Sequence, residues 1–217
     1  NDPGYWGAAD PSVLVLGMTK GFTQSTRMST DPREFDGVAF SGFRPRLLQS
    51  LQAIGLLRDV SNIDSKLGAT EKEYGFASVI RCSLTAIGKE GPTSASSKVI
   101  AALKKPEAQQ VFSTCMKTYL PRLTMRTRLV VLLGNDDGYV AYMNHAMRQS
   151  FQDFEALPTS NGLVYRAGGR FFVHTAHPSG SNGHFGAFIS ADPNEAQGRK
   201  CRHVRSAVEK IMIKLGN

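Results

Sequence analysis

Ser12-Val13-Leu14-Val15-Leu16-Gly17 is a short, unbroken apolar run that ends in glycine. That is the pattern of a strand buried on both faces and handing over to a loop. Phe76-Ala77-Ser78-Val79-Ile80-Arg81 and Arg128-Leu129-Val130-Val131-Leu132-Leu133-Gly134 repeat the design. Between Gly162 and His177 lie two more strand-like runs, 163–166 and 170–177, divided by a hairpin-grade turn at Ala167-Gly168-Gly169. Helical spacing fills the intervals. Leu47, Leu48, Leu51, Ile54 and Leu57 share one face over residues 45–57, with Pro45 suited to the first turn. Residues 108–120 and 139–151 read as further helices. Asp192-Pro193-Asn194-Glu195 offers an N-cap, a proline at the first helical position and a glutamate two residues later. It opens a last helix whose Val204, Val208, Ile211 and Leu215 form one face. Residues 59–74 and 87–98 read as loops.

Strands alternating with helices predict right-handed crossovers and a parallel sheet covered on both faces. The expected fold is α/β: a three-layer α/β/α sandwich, one domain over residues 1–217, with a central four-stranded, mostly parallel sheet. In such sheets ligands bind beyond the carboxyl ends of the strands. Those ends are Gly17-Met18-Thr19-Lys20-Gly21, Arg81-Cys82-Ser83, Gly134-Asn135-Asp136-Asp137 and His177-Pro178-Ser179.

Composition narrows the function classes. The 217 residues are 41% hydrophobic and 20% charged, which excludes disordered, collagenous and coiled-coil chains. There is no apolar run long enough to span a membrane. The first residues show neither a basic start nor an apolar stretch, so no signal peptide is visible; they also lack a Met. Three widely spaced cysteines (Cys82, Cys115 and Cys201) argue for a reducing, intracellular and cytoplasmic setting. Twenty-six basic against eighteen acidic residues leave a net charge of +8. That suits a polyanion such as nucleic acid, and it equally suits a basic enzyme without one.

The run Ala176-His177-Pro178-Ser179-Gly180-Ser181-Asn182-Gly183-His184-Phe185-Gly186 presents an imidazole and a row of backbone N–H groups at one strand end. A histidine donating to a nearby carbonyl would be the purely structural role. The run resembles the His-Pro-Ser motif of the uracil-DNA glycosylase superfamily, and with Asn182 and Gly186 it is most similar to the type 5 branch, near the iron–sulfur type 4 enzymes. Four further segments resemble that superfamily in the same order. They are Gly17 to Gly21, Gly37-Val38-Ala39-Phe40-Ser41-Gly42 before a helix ending Ala53-Ile54-Gly55-Leu56, Val79-Ile80-Arg81-Cys82, and Cys115 with Tyr119-Leu120 before the apolar strand ending Leu133-Gly134.

The resemblance implies a monofunctional DNA-repair hydrolase that excises uracil, with uracil-like bases as its wider range, from single- or double-stranded DNA to leave an abasic site. The implied protein is monomeric and needs no cofactor and no metal. His177 would donate to uracil O2 as negative charge develops. Backbone amides from Met18 onward would add donors, and Phe40 would stack on the flipped base. Ser78 stands where relatives carry a base-reading asparagine, with Arg81 nearby, and a short hydroxyl reads the base less strictly. Lys20, Ser179, Gly180, Ser181, Asn182 and His184 are the candidate DNA contacts. Gly180-Ser181 offers no bulky wedge for the emptied stack, leaving Phe185 or another loop for that role. Arg199, Lys200, Arg202 and Arg205 form either a second phosphate site or a solvated helix face.

The departures from the pattern are specific. Thr19 occupies the place of the usual water-positioning Asp or Asn, and Phe43 replaces the aspartate of the type 5 branch. Water would then be held by Thr19 or by Asp36, Asp31 or Glu34, or the substrate's phosphates would carry the electrostatic work. Only Cys82 and Cys115 match the cluster cysteines of the iron–sulfur relatives, too few for a four-thiolate cluster. His174, His145 and His203 show no zinc spacing and read as structural or surface residues. Two other classes stay open: a catalytically weakened member that binds uracil-DNA, and a nucleotide or small-molecule hydrolase on the same scaffold.

Overall fold

The computed structural model describes residues 4–30, 35–88, 91–93, 96–158 and 160–216. Asp31, Glu34 and the Leu215 side chain lie outside the described residues. Strands β1 (Trp6–Gly7), β2 (Val13–Thr19) and β3 (Tyr74–Ile80) precede a separate ribbon of β4 (Ala86–Gly88) and β5 (Gly91–Thr93). Strands β6 (Leu129–Leu133), β7 (Glu155–Ala156), β8 (Val164–Ala167) and β9 (Arg170–Thr175) complete the main sheet. The helices are α1 (Phe22–Thr30), α2 (Phe35–Val38), α3 (Arg44–Ala53), α4 (Asp64–Leu67), α5 (Ser96–Ala102), α6 (Pro106–Tyr119), α7 (Asp137–Ser150), α8 (Phe185–Ser190) and α9 (Ala196–Gly216).

The main sheet has seven strands, in the order β1-β3-β2-β6-β9-β8-β7, and not the four expected. Its parallel part is β3-β2-β6-β9, built from the apolar runs named above. The three extra strands are antiparallel additions at the two edges. Two of them are only two residues long, too short to carry an alternating pattern. β8 returns on β9 through Gly168 and Gly169, both at positive φ, as a tight hairpin requires. Short edge strands also limit the unpaired backbone that an exposed parallel strand would offer.

The period-2 alternation of the strands sorts their side chains onto two covered faces. Val13, Val15, Phe76, Val131, Leu133 and Val173 pack with Leu47 and Leu51 of α3, Phe185 and Phe188 of α8, and Val204 and Val208 of α9. Leu14, Leu16, Ala77, Val79, Val130, Leu132 and Phe172 pack with Phe112 and Met116 of α6 and with Tyr139, Met143 and Met147 of α7. Each fully buried Leu, Val or Phe contributes about 1.5–3 kcal/mol, so these two layers account for most of the stabilisation. Among the described residues no helix is long and apolar enough to cross a membrane.

The last helix starts later than its sequence signal indicates. Asp192 caps a turn, accepting from the Asn194 N–H at 2.8 Å, and α9 begins at Ala196. That turn folds back over the helix, bringing the Asp192 carbonyl oxygen within 2.0 Å of where a Cβ on Gly198 would stand. Gly198 therefore permits a backbone-on-backbone contact that no other residue allows. In an open helix, Gly→Ala stabilises by roughly 0.8–1 kcal/mol. Here Gly198→Ala is expected to destabilise by about 1–3 kcal/mol through overpacking, read as a lower denaturant midpoint at constant slope. A raised midpoint would show that the 192–198 contact is absent in solution.

Candidate active site

The order of the strands fixes where a ligand can enter. The chain places β3 on one side of β2 and then crosses over to place β6 on the other, so its direction of winding reverses between β2 and β6. Open α/β sheets bind ligands at such a switch point, beyond the carboxyl ends. The strands part there: β2 pairs with β3 as far as Thr19↔Ile80, but its pairing with β6 stops at Leu16↔Leu132. On the face toward α3, Gly17 and Ser78 stand side by side as register partners. A Cβ on Gly17 would meet nothing closer than Ser78 Oγ at 3.9 Å, so this buried pair has room beside it for a further atom.

Phe40 borders the same face. Its ring lies edge-on to Phe76, 5.9 Å between centroids, two residues before Ser78, and 6.4 Å from Trp6. Its φ is +51°, a left-handed conformation that a phenylalanine adopts only under constraint. Such strain clusters at functional sites.

His177 follows β9 on this same edge, and a network built by α3 holds it. Ser50, fully buried, donates to the Ala176 carbonyl at 2.7 Å and shares a 2.9 Å hydrogen bond with the Thr175 hydroxyl. Arg46, one turn earlier, donates through Nε to the Pro178 carbonyl at 2.9 Å and through Nη2 to the Ser179 carbonyl at 3.0 Å. Its guanidinium lies 3.9 Å above the Phe185 ring. Asn182 donates to the His177 carbonyl at 2.9 Å and accepts from the His184 N–H at 3.1 Å. Inside this turn the Ser179 N–H donates to His177 Nδ1 at 3.1 Å. With Nδ1 an acceptor, the ring proton sits on Nε2. Burial pushes the His177 pKa down to about 4, so the ring is neutral at physiological pH and presents one N–H donor.

Several other candidates occupy different places. The Thr19 hydroxyl donates to the Cys82 carbonyl at 2.8 Å and accepts from the Leu84 N–H at 2.8 Å, tying the end of β2 to the end of β3. Its only proton is thus committed to the fold. Met18 points to the opposite face, packed with Leu14 and Leu16. Arg81 also leaves on that face, its guanidinium 4.9 Å from the Tyr119 ring and 6.0 Å from Tyr5, so it does not join Ser78. Lys20 is 2% exposed, its side chain against Gly4. Asp36 is exposed on α2, and Phe43 is half exposed just before α3.

Within the His-Pro-Ser turn, Gly180, Ser181 and His184 are exposed and Ser179 is half-buried. Asn182 has both ends of its amide bonded inside the turn, so it braces the loop. Phe185 is 3% exposed beneath Arg46, and it cannot serve as a wedge. In the basic cluster of α9, Arg199 donates to the Pro193 and Asn194 carbonyls, Lys200 to Asn135 and Asp137, and Arg205 to the Ala53 carbonyl. Of these four, only Arg202 is exposed and makes no side-chain hydrogen bond among the described residues, so the cluster is chiefly structural. His174 is fully buried, donates from Nδ1 to the Gly134 carbonyl at 2.8 Å and is held neutral, its pKa lowered by burial to about 4. Cys82 is exposed, whereas Cys115 and Cys201 are buried.

Comparison with protein-family models finds no match, and comparison with curated proteins finds none either.

Arg46 and Ser50 are the site residues that sequence reasoning missed. They are spaced i, i+4 along α3, and Ser50 interrupts an otherwise apolar buried stripe, which was the available signal. A guanidinium bonded to two main-chain carbonyls has no equivalent in a lysine. Arg46→Ala is expected to cost about 2 kcal/mol of stability and to speed amide hydrogen exchange across 177–185 selectively, and Arg46→Lys should restore little of either. Unchanged exchange in that segment would show that α3 does not hold the turn.

Proposed function

We propose that the protein is a monofunctional uracil-DNA glycosylase that hydrolyses the bond between uracil and deoxyribose and leaves an abasic site. The observation that carries this reading is the neutral His177, braced by the His-Pro-Ser turn and Arg46, with its Nε2–H at the carboxyl edge of the sheet. The order of motifs through Gly17, Phe40, Val79 to Cys82 and His177 supports it.

The chemistry follows from the groups at that edge. A flipped base would lie over Gly17, with Ser78 as a hydroxyl partner at its polar edge and Phe40 against its face. As the N-glycosidic bond breaks, the bonding pair moves onto uracil and charge gathers at O2. A preorganised N–H at that point is worth on the order of 10² to 10³ in rate. Water adds its oxygen to C1′ of the oxocarbenium-like sugar, and its proton ends on the departing base. No step in this scheme passes through a metal or cofactor. The exposed Gly180 and Ser181, with open space around the glycine, let backbone N–H groups approach phosphates, and the +8 charge favours the approach. A serine in place of an amide at position 78 makes base selection less strict than for uracil alone.

One observation favours a second reading. The Thr19 hydroxyl is bonded on both sides, so the first loop supplies no free side chain to orient water. A member that binds uracil-DNA and turns it over weakly would look the same.

Single-turnover release of uracil from an oligonucleotide separates the two. His177→Ala should lower the rate at least about tenfold with the fold intact. The wild-type rate should stay level from about pH 8 to about pH 5.5 and fall below that, as the ring protonates and loses its Ser179 bond. Near wild-type release by the variant would assign His177 a structural role. DNA binding by the wild type with no release at all would support the binding protein.

A further inference from the structure

The layer between the sheet and α7 buries three polar atoms that nothing among the described residues satisfies: Tyr139 Oη, Tyr165 Oη and His174 Nε2. Their residues come from α7, β8 and β9. Tyr165 and His174 are 0% exposed and Tyr139 is 2% exposed. The imidazole lies against both phenol rings. Its centroid is 5.5 Å from that of Tyr139, edge-on, and 5.9 Å from that of Tyr165. Tyr165 is held in turn by its stack on Phe172, with 5.3 Å between centroids and 9° between planes. Yet neither hydroxyl bonds the imidazole, and the hydroxyls do not bond each other.

The fold fixes where the protons of these groups sit. A carbonyl only accepts, so His174 Nδ1 carries the ring proton that bonds the Gly134 oxygen at 2.8 Å. Burial keeps the ring neutral and leaves Nε2 as a bare lone pair. Burial also pushes the Tyr139 and Tyr165 pKa values up, so both hydroxyls keep their hydrogens. The set therefore offers two hydroxyl hydrogens and the lone pair of one ring nitrogen. A water molecule matches it: two lone pairs take the hydroxyl hydrogens, and one hydrogen goes to Nε2. About three bonds is the usual number for a buried water.

We propose that Tyr139, Tyr165 and His174 form an internal site for one water molecule, which accepts from both hydroxyls and donates to His174 Nε2. The site joins α7, β8 and β9 through a single molecule and is independent of what binds at the His177 edge. It also bears on that edge. With Nε2 occupied as an acceptor, the ring proton stays on Nδ1 and holds the Gly134 carbonyl, while the Gly134 N–H donates to the Thr175 carbonyl at 2.8 Å. Gly134 lies at φ +144°, with the Tyr139 ring 2.6 Å from where a Cβ would stand, a form that glycine alone takes without strain. The water thus supports the turn by which the chain leaves β6 beside the end of β9.

Two measurements on the full chain test the site. In a high-resolution crystal structure one solvent peak should stand within about 2.6–3.2 Å of Tyr139 Oη, Tyr165 Oη and His174 Nε2. No peak there, or a hydroxyl bonded directly to Nε2, would overturn the site. The second measurement is the sign of two stability changes. A buried hydroxyl without a partner opposes folding, so its removal in Tyr139→Phe or Tyr165→Phe would raise the denaturant midpoint. Hydroxyls bonded to a held water make both midpoints fall instead, at constant slope. The double variant should lose less than the sum of the two, because each single variant disturbs the same water. A raised midpoint in either variant, or strictly additive losses, would overturn a shared water. Should neither variant fold, the crystal structure of the wild type decides alone.

Discussion

The grip of helix α3 on the end of β9 governs the geometry of this site. Ser50 and Thr175 are fully buried and bonded to each other, and Ser50 also takes the Ala176 carbonyl. Arg46 extends the same grip to Pro178 and Ser179. Main-chain carbonyls that leave a sheet lose their ladder partners and must find others. Here one helix supplies them, and the turn that follows is thereby shaped to place the Ser179 N–H against His177 Nδ1. The tautomer of the imidazole is a consequence of backbone bookkeeping two residues away.

The charge pattern follows the same logic. His177 and His174 are both kept neutral by burial, yet they are tied differently: His174 Nδ1 donates to the Gly134 carbonyl, whereas His177 Nδ1 accepts from the Ser179 N–H and leaves the ring proton on Nε2. The positive charge of the chain lies elsewhere. Much of what clusters on α9 is bonded to carbonyls and to Asp137, so those charges serve the fold.

Much of the fold was legible because β2, β3, β6 and β9 are buried on both faces and read as continuous apolar runs. What escaped had no such signature. β1 and β7 are too short, and α1 is a Ser/Thr-rich helix without an apolar stripe. Residues 59–74 and 87–98, read as loops, contain α4, most of β4, all of β5 and the start of α5. The placement of His177 at a strand end is readable from the sequence, and so is the direction of two neighbouring side chains. Met18 follows the parity of Leu14 and Leu16, and Arg81 that of Ala77 and Val79, so alternation alone puts both on the face away from Gly17 and Ser78. Thr19 and Asn182 were read as chemical groups when their hydrogen bonds make them braces, a distinction only three-dimensional contacts reveal.

The claim on which all else turns is that the turn holds His177 neutral with its proton on Nε2. Long-range proton–nitrogen correlation of the imidazole in the wild-type protein, followed through a pH titration, measures this without reference to any substrate. The expected spectrum at neutral pH shows an unprotonated Nδ1 and a protonated Nε2, with a titration midpoint near 4. A ring protonated on Nδ1, or one that titrates at the ordinary histidine value of about 6.5, would contradict it.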